Sequence, residues 1–176
     1  MSSEIVNKKA GFNYFLQDRL EAGIALTGGE VKSVRSGSGS LDEAYVRIID
    51  GQAILVNCYI APYKFALDPS YDPKRERKLL LNKQEIEHLA GKVGSKHLTN
   101  SDLRTRSGGL TFSKNAKPSG LTIVPTKVYN SHNLIKVEVA IGTPKKKFDK
   151  REDLKKKAIQ RETEGFLRAE KAKNKN

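Results

Sequence analysis

The sequence predicts a mainly β protein, built as a small antiparallel OB-like β-barrel with two short helices and a basic C-terminal tail. Three observations predict it. Two pairs of β-rich apolar runs flank short turn sequences and read as hairpins, and two capping-box sequences open helices between strands. Beyond Gly142 the chain turns strongly basic with little to bury. At 176 residues it holds one domain of the usual size, about 100 to 150 residues, plus an appendage. Strands outnumber helices, and a closed antiparallel barrel is the arrangement that removes exposed strand edges. The domain is expected over 1–142 and the tail over 143–176.

Taken in order, residues 1–10 are polar, and Phe12–Leu26 alternates loosely before turning apolar, as one long bent strand or two short ones. Thr27-Gly28-Gly29-Glu30 has the spacing of a capping box, in which a hydroxyl and a carboxylate each satisfy a free backbone donor at a helix start. A short helix over Glu30–Arg35 follows. Ser36–Ser40 is a Gly/Ser loop. Ala44–Ile49 and Gln52–Ile60 flank Asp50-Gly51, a strong hairpin sequence because both residues tolerate positive φ. Ala61–Asp72, with Pro62 and Pro69, is mostly loop, and Arg77–Leu81 is a strand that enters a second box, Asn82-Lys83-Gln84-Glu85.

That box opens a helix to about Lys92, with Ile86, Leu89 and Ala90 inward. Gly94–Ser119 has no consistent apolar face and reads as a long insert loop. Leu121–Tyr129 and Leu134–Ile141 then alternate with period two around Asn130–Asn133, a second hairpin whose Pro125 marks an edge or a bulge.

Charge narrows the function. The 33 Lys+Arg against 20 Asp+Glu give a net +13, which calls for a polyanionic partner. A lone cysteine, Cys58, excludes an internal disulfide or a thiolate metal site and fits a reducing cytoplasm. Apolar runs are too short for a membrane helix, and Met1-Ser2-Ser3-Glu4 does not open a secretion signal. His88, His97 and His132 fall on a helix, the insert and a turn with no spacing that pairs them with a carboxylate, so neither catalytic residues, cofactor nor metal is expected.

The tail carries 13 Lys+Arg against 6 Asp+Glu, a net of +7 and more than half of the excess charge. Leu154, Ala158, Ile159, Phe166 and Leu167 form a thin apolar stripe broken by Gly165. Burial of so little surface does not offset ordering entropy, which predicts disorder when free and helix on a polyanion. Phe148 sits among Lys145, Lys146, Lys147, Lys150 and Arg151, where a ring can stack on a base while cations hold phosphates; docking on the barrel is the other reading. On the first helix Lys32 and Arg35, at i and i+3, share a face, either as phosphate clamps or as a solvated surface.

Several blocks together resemble the SsrA-binding protein (SmpB) family. They are Asn7-Lys8-Lys9-Ala10 with Tyr14-Phe15, Glu21 through Arg35, Asn57 through Tyr63, Asp72-Pro73 with Arg75, Arg77 through Asn82, and Lys146 through Glu152. The resemblance implies an RNA-binding adaptor, not an enzyme. Its barrel would bind the tRNA-like part of transfer-messenger RNA (tmRNA), one protein to one RNA. Its tail would enter the empty mRNA channel of a stalled ribosome and meet small-subunit rRNA at the decoding centre. It further implies that Glu21, Leu80 and Asn82 lie on the tmRNA face, and that Phe148, Asp149, Lys150 and Arg151, behind Lys146 and Lys147, meet the decoding centre. The residues themselves leave second roles open: Asn82 as a helix cap, Glu21 in a salt bridge, Leu80 in the core. Ser36–Ser40 lacks the basic and amide residues usual in that loop of the family, and Gly94–Ser119 is longer than the family's usual short turn.

Overall fold

A computed structural model describes residues 4–65, 70–94, 120–152 and 163. The chain divides into two compact units, Met1–Pro144 and Lys145–Asn176. In the first, β1 (Glu4–Val6), α1 (Lys8–Asn13), β2 (Tyr14–Ile24), α2 (Gly28–Arg35), β3 (Gly39–Ser40), β4 (Tyr45–Ile49) and β5 (Gln52–Val56) are followed by β6 (Tyr59–Ile60), β7 (Arg77–Leu80), α3 (Lys83–Val93), β8 (Thr122–Ser131) and β9 (Leu134–Pro144). The order β8-β4-β5-β7-β2-β9 returns to β8, so six antiparallel strands close a ring. β1 lies on β8 at residues 127–129, beyond the single register point Val46↔Ile123 that joins β4 to β8.

Alternation puts Ala22, Ile24, Leu55, Leu79, Val137 and Val139 inside the ring, where they share one core with Val34 of α2 and Leu89 of α3. Truncating Leu55 or Leu79, both essentially inaccessible, to Ala would cost about 2–5 kcal/mol through lost contacts and the cavity left behind.

The long β2 is the bent strand the sequence foreshadowed. Its register against β9 shifts between Gln17 and Leu20, and Asp18 there adopts φ 47°. Pro125 marks a bulge and not an edge: β8 is paired along its length with β9, and the register shifts between Pro125 and Lys127. Both hairpins turn through left-handed backbone, at Asp50 (φ 49°) and Gly51 (φ 68°), and at His132 (φ 47°) and Asn133 (φ 65°).

Three expectations are corrected. The barrel unit has three helices among the described residues, not two, because the polar start contains β1 and α1. Asn7 explains how so short a helix forms: its Oδ1 accepts from Ala10 N–H at 2.9 Å, while its Nδ2 donates to Leu41 O at 2.8 Å and Pro125 O at 3.0 Å. A buried asparagine satisfied by three chain segments leaves no apolar periodicity to read. The Gly/Ser loop contains β3, which pairs with β6, so Gln52–Ile60 is not one strand. At Gly39 a Cβ would lie 2.9 Å from Ile5 Cδ1 and 3.0 Å from Tyr59 O, so the close approach of β3 and β6 requires glycine there. The turn to β6 passes through Asn57 at φ 56°.

In the second unit, residues 147–152 are helical. The expected insert, past Gly94, and the tail beyond residue 152 except for Thr163 lie outside the described residues.

Candidate nucleic-acid interface

The outer face of the barrel collects residues from β2, β7, β8 and β9. Since Ala22 and Ile24 point inward, Glu21 and Gly23 point out, and register pairs Gly23 with Leu80 on one side and with Lys136 on the other. Leu80 is 59% exposed, which removes it from the core and leaves an aliphatic side chain in water on the outward face that Glu21 shares. It packs over Gly23, where a Cβ would meet Leu80 Cβ at 3.3 Å. Asn82, two residues on, is exposed and is the N-cap of α3 in extended backbone (φ −69°, ψ 154°), with its N–H donating to Glu85 Oε2 at 2.7 Å. Register thus brings Glu21 and Leu80, 59 positions apart along the chain, to one outward face, and Asn82 follows at the exposed start of α3.

Glu21 is not a bare acid on this face. Its Oε1 accepts from the Tyr129 hydroxyl and its Oε2 from Lys136 Nζ at 2.9 Å. The tyrosine hydrogen bond, then the lysine, hold the carboxyl below the ordinary carboxylate range. The same bond pushes the Tyr129 phenol up to about 12. Lys127 Nζ lies 5.0 Å from the Tyr129 ring centroid and 3.4 Å from Glu138 Oε2, and Arg19 reaches Glu138 at 3.4 Å. Glu21 has Lys136 at 2.9 Å, and Glu138 has Lys127 and Arg19 at 3.4 Å, so the acids of this face are each paired with a cation.

α2 contributes Lys32 and Arg35, both exposed. They take different partners: Lys32 Nζ sits 5.1 Å from the Tyr63 ring centroid, and Arg35 Nη2 donates to Asn133 O at 3.0 Å in the β8–β9 turn. In the second unit Phe148 is 68% exposed, and Lys146, Lys147 and Arg151 are exposed around it. Asp149 and Lys150 are half-buried. Asp149 Oδ2 accepts from Lys146 N–H at 2.9 Å and Lys150 N–H donates to Lys146 O at 3.2 Å, so Asp149 starts the helix that presents this cluster.

Sequence reasoning missed the hub behind α2. Glu30, with a fully inaccessible side chain, accepts from Arg75 Nε at 2.9 Å and Arg77 Nε at 2.8 Å as well as from Thr27 N–H. Burial opposes its charge, but the Arg75, Thr27 and Arg77 hydrogen bonds outweigh burial and hold its pKa below the ordinary value. Arg77 also donates to Cys58 O at 2.6 Å and Pro73 O at 3.0 Å. Only the run of Arg75 and Arg77 just ahead of an apolar strand hinted at a buried cation. His88, for which the sequence offered no carboxylate, lies 3.9 Å from Asp18, which Lys92 also approaches at 3.3 Å. Among the described residues no group of three or more His, Cys, Asp or Glu is placed to hold a metal, and no helix is long and apolar enough to cross a membrane.

With this geometry in hand, comparison with known proteins is informative. The family model described as "SmpB protein" matches residues 4–105 and 109–169. The chain belongs to the SmpB family. The match runs through the segment expected as an insert, 94–119, except at 106–108. Similar proteins include the SsrA-binding proteins of Sulfurihydrogenibium sp., 45% identical over 93% of this chain and 94% of the relative, and of Persephonella marina, 44% identical over 89% and 88%. A chain in a solved structure described as "tmRNA-SmpB: a journey to the center of the bacterial ribosome" superposes with a TM-score of 0.60 at 36% identity, covering 90% of this chain and 96% of that one.

Proposed function

We propose that this chain is an RNA-binding adaptor of the bacterial cytoplasm that binds tmRNA and delivers it to stalled ribosomes for trans-translation. The outer face carrying Glu21, Leu80 and Asn82 takes the RNA, with Lys32 and Arg35 as phosphate contacts. The tail takes small-subunit rRNA at the decoding centre and mRNA channel through Lys146, Lys147, Phe148, Asp149, Lys150 and Arg151. What supports this reading is that Glu21 and the exposed Leu80 share one outward face of the barrel, with Lys136 countering the acid and Asn82 two residues beyond Leu80. An exposed leucine beside an asparagine amide suits the edge and sugar of a nucleotide, and the lysines suit its phosphates. No bond is made or broken, so the protein works by binding alone.

The reading is tested by competition. At moderate salt the full chain should retain tmRNA over bulk tRNA, and its affinity should fall as salt rises because phosphate-bound counterions are released. Equal retention of any structured RNA would refute it. Truncation before Thr143 should leave tmRNA binding largely intact and abolish tagging on stalled ribosomes; loss of RNA binding in that truncation would make the tail the anchor instead.

A further inference from the structure

Between β6 and β7 the chain presents an aromatic pair that the surfaces above do not use. Tyr63 and Phe65 meet edge to face, with ring centroids 5.5 Å apart and planes at 63°. Phe65 is 85% exposed, the most exposed large apolar side chain among the described residues. A single exposed phenylalanine needs no function. This one is different because its neighbour is fixed in turn: Lys32 of α2 places its ammonium 5.1 Å from the Tyr63 centroid. Lys64, between the two rings, is exposed. One ring is therefore open to solvent and supported edge to face by a second ring, which carries the Lys32 ammonium, and Lys64 joins the two in sequence.

Charge decides the class of ligand. From Gly51 to Leu67 the sequence has no Asp or Glu, and neither has Val31 to Leu41. The acid of α2, Glu30, is buried and occupied by Arg75 and Arg77. A basic peptide would find no counter-charge in these segments, whereas a nucleotide finds an apolar ring for its base and ammonium groups for its phosphates.

We propose that Phe65, backed by Tyr63, is a stacking platform for an unpaired base of the bound RNA, with Lys32 and Lys64 on the flanking phosphates. This rests on the RNA-binding reading and adds to it a contact on a loop remote in sequence from Glu21, Leu80 and Asn82. Base-on-aromatic stacking tolerates any base, so the platform would recognise a single-stranded or bulged position and not a sequence.

The chain has no tryptophan, so Phe65→Trp introduces a unique fluorophore at the proposed contact. Titrating that full-length variant with tmRNA should quench its emission in step with binding, as a base stacks on the indole. Binding measured by retention without any change in emission would overturn the proposal. In the same series Phe65→Ala and Phe65→Leu should each weaken tmRNA binding roughly tenfold, while Phe65→Tyr stays within about twofold of the parent. Parent-like affinity of Phe65→Ala, or of Phe65→Leu, which keeps apolar bulk and removes the flat ring, would also overturn it. The parent protein in the same assay separates the two claims. Failure to prefer tmRNA over tRNA counts against the functional reading, while unquenched binding counts against the platform alone.

Discussion

Glu30 and Glu21 are two carboxylates gripped by cations, one behind α2 and one on the outer face of β2, and solvent makes them different devices. Glu30 is sealed from water and held by Arg75, Arg77, the Thr27 amide and, at 3.5 Å, the Tyr71 hydroxyl, so protein groups and not water stabilise its charge. Glu21 remains half-exposed, and water competes for every partner it has. The first ties α2 to Arg77 at the start of β7, and to Arg75 just ahead of it, and so to the ring. The second sets where Lys136 and Tyr129 stand on a surface. Similar chemistry thus yields a structural clamp where water is excluded and an adjustable arrangement of charge where it is not.

The largest expected effect breaks the clamp. Glu30→Gln leaves the buried Arg77 and the partly exposed Arg75 with no counter-charge, and should destabilise the barrel by about 3–5 kcal/mol in urea or thermal unfolding. A loss no greater than that of a surface substitution would place the hub on the periphery of the fold. The next effect concerns acid. Because the folded-state pKa of Glu30 lies below its ordinary 4.5, its contribution is complete above that value and drains away as pH falls through the lower folded pKa. Unfolding midpoints measured down the acid limb should therefore decline for the parent and decline less steeply for Glu30→Gln.

Smaller effects sharpen the other half of the comparison. Glu21→Gln should leave the unfolding midpoint unchanged and weaken tmRNA binding roughly three- to tenfold, the scale of one ordinary hydrogen bond lost. A shifted midpoint would make Glu21 a second clamp. The smallest signal is spectroscopic. The Tyr129 phenol ionises at about 12 while Glu21 accepts its hydrogen bond, and ultraviolet titration of Glu21→Gln should bring one phenol back toward the ordinary 10.

The elements most legible in the sequence were those whose cause is local. Asp50-Gly51 set a hairpin because both residues sit comfortably at positive φ, and Thr27/Glu30 and Asn82/Glu85 opened helices because a cap needs only the first turn. β1, α1 and β3 were not legible. Asn7 is held by Leu41 and Pro125, far along the chain, and Gly39 is required by the approach of Ile5 and Tyr59. In the candidate interface, residue identities came from sequence blocks, but the placement of Leu80 did not: a leucine in the run Leu79-Leu80-Leu81 reads equally well as core, and only the alternation of β7 against β2 turned it outward.

By itself, then, the sequence determined the β-rich class, the two hairpin turns, the two capped helices and the concentration of charge in the tail, each a matter of neighbouring residues or of composition. The tertiary structure alone decided which six strands close the ring and in what order, that Glu30 rather than Glu85 becomes a buried hub, and that Glu21 meets Lys136 and Tyr129. The two capping boxes show the physical reason. Both carboxylates satisfy the same local donor, but only Glu30 is then covered by Arg75 and Arg77, and whether water reaches a charge depends on what packs over it from elsewhere in the chain.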